Sequence, residues 1–514
     1  MGVLTGLYPQ RVFDYFEELT RIPRGSGNEK AVSDYLVSFA KEHGLSYVQD
    51  KANNVIMIKE ASDGYEAQEP IILQGHMDMV AVKDADCPLS LEHDALDIGV
   101  EGDTVYAKGT SLGGDDGIAL AYVLALLEDE TLSHPRLEAV FTTDEEVGMN
   151  GAAAIDLSML KGRRLINIDS EEEGVLTVGC AGGVRVHSVI PVKRERSRGI
   201  SARVRIDGLQ GGHSGAEIHK QRGNANDLMG RFLNGLSVKM SYALVSCVGG
   251  TKDNAIPIEA EAELVIPVKE KEALVTAVAE YDKILQKEFA NRDAGVRVLL
   301  IFGETDSANA SDDAGCGERE IKLHPGDTGC GDFAESEYQA LDEASTKTAA
   351  RFLACVPGGV QAMSTDIDGL VETSLNMGIV RLTEKGLETD HSIRSSVASA
   401  KDALREKLTA LSALAGGTVS CHGDYPAWEY RKDSPLRECM IAQYRELFGK
   451  EPRVEVIHAG LECGLLSAKL PGLDCVSFGP DLTDIHTTSE RMHIASVGRM
   501  YEYLRALIEK KSAR

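Results

Sequence analysis

Five short stretches of this sequence carry histidines and carboxylates in positions suited to polar chemistry. ILQGHMDMV holds His76 and Asp78 after an apolar run, and SLGGDDGIALA holds Asp115 and Asp116 at a Gly-rich turn. FTTDEEVGM holds Glu145 and Glu146, LINIDSEEEG holds Asp169, and GPDLTDIHTTSERM holds His486. Singly, each has an ordinary reading. A histidine at a strand end is more often hydrogen-bonded structure than a ligand, paired glutamates often open a solvated helix, and Asp115 or Asp116 would serve as a helix N-cap. Together they suggest one chemistry. Two imidazoles and three carboxylates, with no thiolate among them, suit a borderline divalent ion such as zinc. Two such ions bring four positive charges against the carboxylates of Asp115, Glu146 and Asp169. A hydroxide completes the balance, and it is the nucleophile of a two-metal hydrolase. Asp78, two residues past His76, is placed to receive the imidazole N–H. Glu145 is placed to hold the proton of an attacking water.

Such residues converge only if the chain between them is ordered. Val12, Phe13, Phe16 and Leu19 fall at helical spacing after Pro9, as do Val32, Tyr35, Leu36, Phe39 and Ala40 before Gly44. Short apolar runs at 55–58, 71–73, 139–143 and 165–168, with a helix over 118–127 between two of them, predict a mostly parallel α/β sheet covered by helices. The chemical motifs fall just past these runs, at the strand ends that line the crevice of an open α/β sheet. From about 190 the pattern changes. SARVRI (201–206) and EAEAELVI (259–266) alternate polar with apolar, and a helix over 269–291 leads into the run 296–301, which predicts an α+β domain with an antiparallel sheet. Residues 305–332, rich in Gly, Asp and Ser, read as a surface excursion, and Cys316, His324 and Cys330 within it match no zinc module. βα texture resumes near 400. The expected organisation is one α/β domain built from residues 1–188 and 399–514, with a smaller α+β domain inserted over 189–398.

Composition limits the functions available. The 514 residues include 54 basic and 81 acidic side chains, a net charge of −27, which argues against nucleic acid or an anionic membrane as partner. No apolar run is long enough for a transmembrane helix. The first residues, MGVLTGLYPQRVFDYFEEL, lack the order of a signal peptide. Ten cysteines without a CxxC motif fit a reducing cytoplasm.

The motifs also resemble a known family. His76-x-Asp78, Gly114-Asp115, Glu145-Glu146 and Asp169-Ser170-Glu171 are similar to those of the co-catalytic zinc peptidases of the carboxypeptidase G2 and aminoacylase type. A finer likeness is to the aminoacyl-histidine (Xaa-His, carnosinase-like) dipeptidases, carried by GCAGG (179–183), GGHSGAEIH (211–219), GNAN (223–226), NAIP (254–257), ETSLN (372–376), IRSS (393–396), HAGLECG (458–464) and IHTTSER (485–491). The loop after the last histidine runs His486-Thr487-Thr488-Ser489 where the family pattern reads His-Ser-Pro. The resemblance implies two Zn²⁺ per chain, with Mn²⁺ or Co²⁺ as substitutes. It implies His76 and Asp169 on one ion, Glu146 and His486 on the other, Asp115 bridging, Glu145 as general base and Asp78 as orienting acid. It further implies a cytoplasmic homodimer acting on small peptides, with the inserted domain as lid and His213, Asn254 and Arg394 touching the substrate. An Arg fork suits a terminal carboxylate. The same metal motifs would also serve a broader aminopeptidase, a tripeptidase or an N-acyl amino acid deacylase.

Overall fold

The computed structural model describes residues 2–302, 319–321 and 335–511. The chain divides into two compact units, Met1–Cys180 with Trp428–Arg514, and Ala181–Ala427.

The first unit is built on an eight-stranded sheet. In spatial order its strands are Ser46–Gln49, Val55–Lys59, Leu137–Thr142, Ile71–His76, Arg164–Asn167, Asp474–Ser477, Val175–Cys180 and Arg453–Ile457. Leu137–Thr142, Ile71–His76, Arg164–Asn167 and Asp474–Ser477 run parallel in the centre. Their residues are almost wholly buried, as expected of strands covered on both faces. The helix Gly114–Glu128 is apolar all round, so it can only lie in a core, and every residue but Glu128 is buried. Helix Gln10–Leu19 instead buries one stripe, in which Val12, Phe13, Phe16 and Leu19 are fully covered. Each such side chain contributes roughly 1.5–3 kcal/mol of burial. A second, four-stranded sheet joins Ile98–Glu101, Thr104–Ala107, Arg491–His493 and Leu482–Thr483. Leu482–Thr483 pairs with Arg491–His493, which makes the intervening residues the loop of a hairpin.

The second unit contains a large antiparallel sheet. Its main path runs Arg319–Ile321, Arg297–Phe302, Arg194–Asp207, Ala260–Ile266, Ala243–Gly249, Val371–Leu382, Leu387–Ser395, Gly182–Ile190 and Thr418–Tyr425. Strands such as Gly182–Ile190 and Ala260–Ile266 alternate buried with partly exposed residues. Their inner faces share one core with Leu228, Leu233, Leu274, Leu353 and Leu408 of four covering helices. Of the excursion read over 305–332, only Arg319–Ile321 is described, as a short strand antiparallel to Leu300–Phe302. Cys316, His324 and Cys330 lie outside the described residues.

Both expected domain junctions move. The first falls at 180/181 rather than 188/189, because Gly182–Ile190 pairs along its length with Leu387–Ser395 in the second sheet. The second falls at 427/428 rather than 398/399. Thr418–Tyr425 adds to the open edge of Gly182–Ile190, and helix Ala398–Leu414 buries Leu404 and Leu408 in the second core. Local periodicity is the same whichever sheet a strand joins, so neither pairing is visible in sequence.

Candidate metal centre

The parallel centre of the first sheet delivers three motifs to one end. His76 is the last residue of Ile71–His76, Glu145 and Glu146 follow Leu137–Thr142, and Asp169 lies two residues past Arg164–Asn167. His486 arrives from the hairpin loop after Leu482–Thr483. Asp144 and Met149 beside the glutamates, and Asp484 and His486 in the loop, all hold left-handed backbone. Non-glycine residues in that conformation cost about 1–3 kcal/mol and cluster at functional sites.

Asp115 is the centre of the group. Its Oδ1 lies 3.1 Å from His76 Nε2, and its Oδ2 lies 3.1 Å from His486 Nε2. His76 Nε2 is also 3.5 Å from Asp169 Oδ1, and His486 Nε2 is 3.0 Å from Glu146 Oε1. Asp115, Glu146 and His486 each present a ligand atom within 4.8 Å of the others, as do His76, Glu145 and Glu146, and His76, Asp116 and Asp169. Asp169 Oδ2 is buried with no hydrogen-bond partner. One carboxylate facing two imidazoles, an orphaned carboxylate oxygen and an all-N/O donor set fit a pair of divalent ions.

The electrostatics agree with that fit. Burial opposes charge on His76, but the carboxylates of Asp115, Asp169 and Asp78 hold its pKa well above the ordinary value. Hydrogen bonds to Asp115 and Glu146 lift His486 to about 10. Burial raises Asp169 to about 6 and pushes Glu145 well above the usual carboxylate range, with Asp169, Glu462 and Glu146 adding repulsion. Burial acts on Asp115 too, yet His486 and His76 hold its pKa well below normal. The protons on the two rings thus stand where cationic charge is wanted, and metal binding would displace them.

Asp78 does more than the expected orientation of His76. His76 Nδ1 is 3.1 Å from the Asp78 main-chain oxygen and 3.5 Å from Oδ1. The Asp78 carboxylate also accepts from the Ser26 hydroxyl (2.8 Å) and from the N–H groups of Glu145 (3.0 Å) and Glu146 (3.3 Å). It therefore anchors the backbone of both glutamates. Asp116 is not a helix cap: its Oδ2 accepts the His76 N–H at 3.0 Å, and Gly113 is the N-cap. Gly75 makes room for that bond, since a Cβ there would lie 2.6 Å from both Asp116 Oδ2 and the Ala119 methyl.

Other residues support the site without having been singled out in sequence. Glu462, fully buried, accepts from Gln74 Nε2 (2.6 Å) and the Thr142 hydroxyl (2.5 Å), and burial raises its pKa to about 7. Its motif HAGLECG was visible, but a lone glutamate in an apolar helix start gives no chemical signal. Arg24 and Glu490 are each 2% exposed and reach the backbone ahead of Asp115.

His213, Asn254 and Arg394 lie in the second unit. His213 and Asn254 line one cavity of about 760 Å³ there. His213 Nδ1 accepts from the N–H groups of Gly215 (3.3 Å) and Ala216 (3.1 Å), which leaves the ring proton on Nε2. Burial, then the charge of Arg394, lowers the His213 pKa. Arg394 Nη1 donates to the Tyr425 hydroxyl at 3.1 Å.

A sheet that gathers two imidazoles and a set of carboxylates past the carboxyl ends of its strands has the architecture of a metallohydrolase. The chain belongs to peptidase family M20/M25/M40, whose profile matches residues 72–510, a family of metallopeptidases with dinuclear metal sites. Over 516 aligned residues, covering all of both chains, it is 36% identical to the cytosol non-specific dipeptidase of Escherichia coli. The crystal structure of aminoacylhistidine dipeptidase from Vibrio alginolyticus matches with a TM-score of 0.87 at 32% identity, over 99% of each chain. Aminopeptidase PepT from Bacillus cereus shares the fold, with a TM-score of 0.53 at 14% identity over 98% of each chain. No described helix is long and apolar enough to cross a membrane.

Proposed function

We infer that this protein is a cytoplasmic, homodimeric dipeptidase with two zinc ions per chain, acting on free dipeptides and preferring those that end in histidine. The observation that carries the reading is Asp115, whose two oxygens each face a different histidine at 3.1 Å. In this reading His76 and Asp169 would hold one ion, Glu146 and His486 the other, and Asp115 would be shared. When bound, such ions would supply Lewis acidity toward a peptide carbonyl and lower the pKa of water. Glu145 takes the proton from that water and returns it to the leaving amine. Burial raises its pKa above the usual carboxylate range, the direction that lets a carboxyl carry a proton. Asp78 keeps the Glu145 and Glu146 backbone in place while this happens. His213 stabilises the developing negative charge on the carbonyl oxygen, and Asn254 and Arg394 hold the terminal carboxylate of the substrate. The names of the Escherichia coli and Vibrio alginolyticus relatives support a dipeptide substrate, and the Vibrio alginolyticus name alone bears on the histidine preference.

The test is metal analysis of the purified protein beside hydrolysis of matched dipeptides, tripeptides and N-acyl amino acids. Two metals per chain and fastest turnover of dipeptides ending in histidine are expected. Cleavage of N-acyl amino acids alone would sink the reading, and equal rates on all dipeptides would remove the histidine preference.

A further inference from the structure

A bridging carboxylate works only if its two oxygens stay at fixed distances from two separate partners, and the side chain can be no better placed than its backbone. The backbone carrying Asp115 is Leu112-Gly113-Gly114-Asp115, in which Gly113 is left-handed and Gly114 has no side chain to pack. Such a segment is intrinsically free. Two buried charged side chains hold it from opposite sides of the Gly113 peptide. Glu490 accepts from the N–H groups of Leu112 (2.7 Å), Gly113 (3.0 Å) and Gly114 (2.7 Å). Arg24 donates to the Gly113 carbonyl, and also to the main-chain oxygens of Met77 (3.0 Å) and Asp78 (3.1 Å). A Cβ on Gly113 would lie 2.6 Å from the Arg24 guanidinium, so the approach requires glycine.

The positions of the two charges in sequence matter. Glu490 lies four residues past His486 in the same hairpin loop, so it ties the loop bearing one histidine to the backbone of Asp115. Arg24 ties that backbone to the strand end bearing His76. We propose that Arg24 and Glu490 are positioning residues that lock Asp115 in register with both histidines, and so set the geometry of the metal pair. The proposal rests on the reading of Asp115 as the shared ligand.

Four variants test it: Glu490→Gln, Arg24→Lys, Arg24→Met and Asp115→Asn. Each is purified, stripped of metal and titrated with cobalt(II), whose visible absorption reports coordination geometry. Glu490→Gln leaves one acceptor oxygen and sets an NH₂ group against backbone N–H donors. A folded Glu490→Gln protein is expected to bind cobalt about 10–100-fold more weakly, with a changed spectrum and reduced kcat at near-constant KM. Arg24→Lys, which keeps the charge and some of the donors, is expected to shift the same three quantities less than Arg24→Met. A folded Glu490→Gln protein with the wild-type cobalt spectrum and affinity would overturn the proposal. If Glu490→Gln does not fold, Arg24→Lys and Arg24→Met carry the test, and wild-type spectra in both would overturn it. Asp115→Asn separates the two levels. If it still binds two metals, the reading of Asp115 fails; if it loses them while Glu490→Gln is unchanged, only the positioning role fails.

Discussion

Glu145 and Glu146 are neighbours in sequence with different assigned tasks, and the amide substitutions separate them. Glu146 Oε1 lies 3.0 Å from His486 Nε2, within the donor group that includes Asp115. Glu146→Gln removes one charged ligand of that group. Even the outer partners of metal ligands are worth about 10–100-fold in affinity, so a ligand itself should cost at least that, about 1.4–2.8 kcal/mol at 1.4 per decade. Glu145→Gln removes a proton carrier. Its backbone is held by the Asp78 carboxylate through its own N–H, so the neutral, nearly isosteric side chain should leave the metal ligands where they are. General acid–base groups contribute about 10²–10⁴-fold, or about 3–5 kcal/mol of barrier. One carboxyl here serves both proton transfers, so the loss belongs at the upper end. The assay is metal content per chain measured beside kcat and KM for each variant. Glu145→Gln should keep two metals with kcat reduced by about 10³–10⁴, and Glu146→Gln should lose most of one metal at moderate concentration. The donor group His76–Glu145–Glu146 is also within ligand distance, so the outcome is not built into the geometry. Glu145→Gln losing metal while Glu146→Gln keeps two would reverse the assignment, and near-normal turnover in Glu145→Gln would refute the general base.

Three further outcomes are expected. Chelation should abolish activity and lower the melting temperature, with zinc restoring both; metal at a hundredfold excess over its Kd adds about 2.7 kcal/mol, and full activity in metal-free protein would refute the site. Gly75→Ala should weaken metal binding sharply while the protein still folds, because the new methyl meets Asp116 Oδ2 and Ala119 at 2.6 Å and must displace His76; unchanged metal affinity would contradict this. His391, buried in the second unit, is held neutral, its pKa lowered to about 3 by burial and then by the charge of His187. The unfolded chain gains this proton near pH 6.5 and the folded chain only near 3, so stability is full above about 6.5 and is lost as pH falls toward 3. At pH 5 the loss relative to pH 8 is about 2 kcal/mol. Chemical denaturation of wild type and His391→Gln at both pH values measures it, and equal slopes would show that His391 is not the group responsible.

Much of the site was legible because its elements are local. Helices Gln10–Leu19, Lys30–Glu42 and Gly114–Glu128 and the strands around 55, 71, 139 and 165 follow from periodicity and length, with boundaries a few residues off. A ligand motif at the end of a buried strand is a statement about a few consecutive residues. His76, Asp115, Glu145, Glu146, Asp169 and His486 were therefore recognisable before any fold was known, and the tertiary structure gathers them at one sheet end. What only the tertiary structure decided is long-range. Gly182–Ile190 and Thr418–Tyr425 belong to the second unit because of partners some two hundred residues apart, which no local period encodes. The turn of Asp116 toward the His76 backbone, the hold of Asp78 on both glutamates, and the grip of Arg24 and Glu490 on Gly113 likewise join separate segments. Side-chain type and spacing name the groups able to bind a cation. Hydrogen bonds between distant segments determine which backbone each one holds, and these form only when the chain is folded.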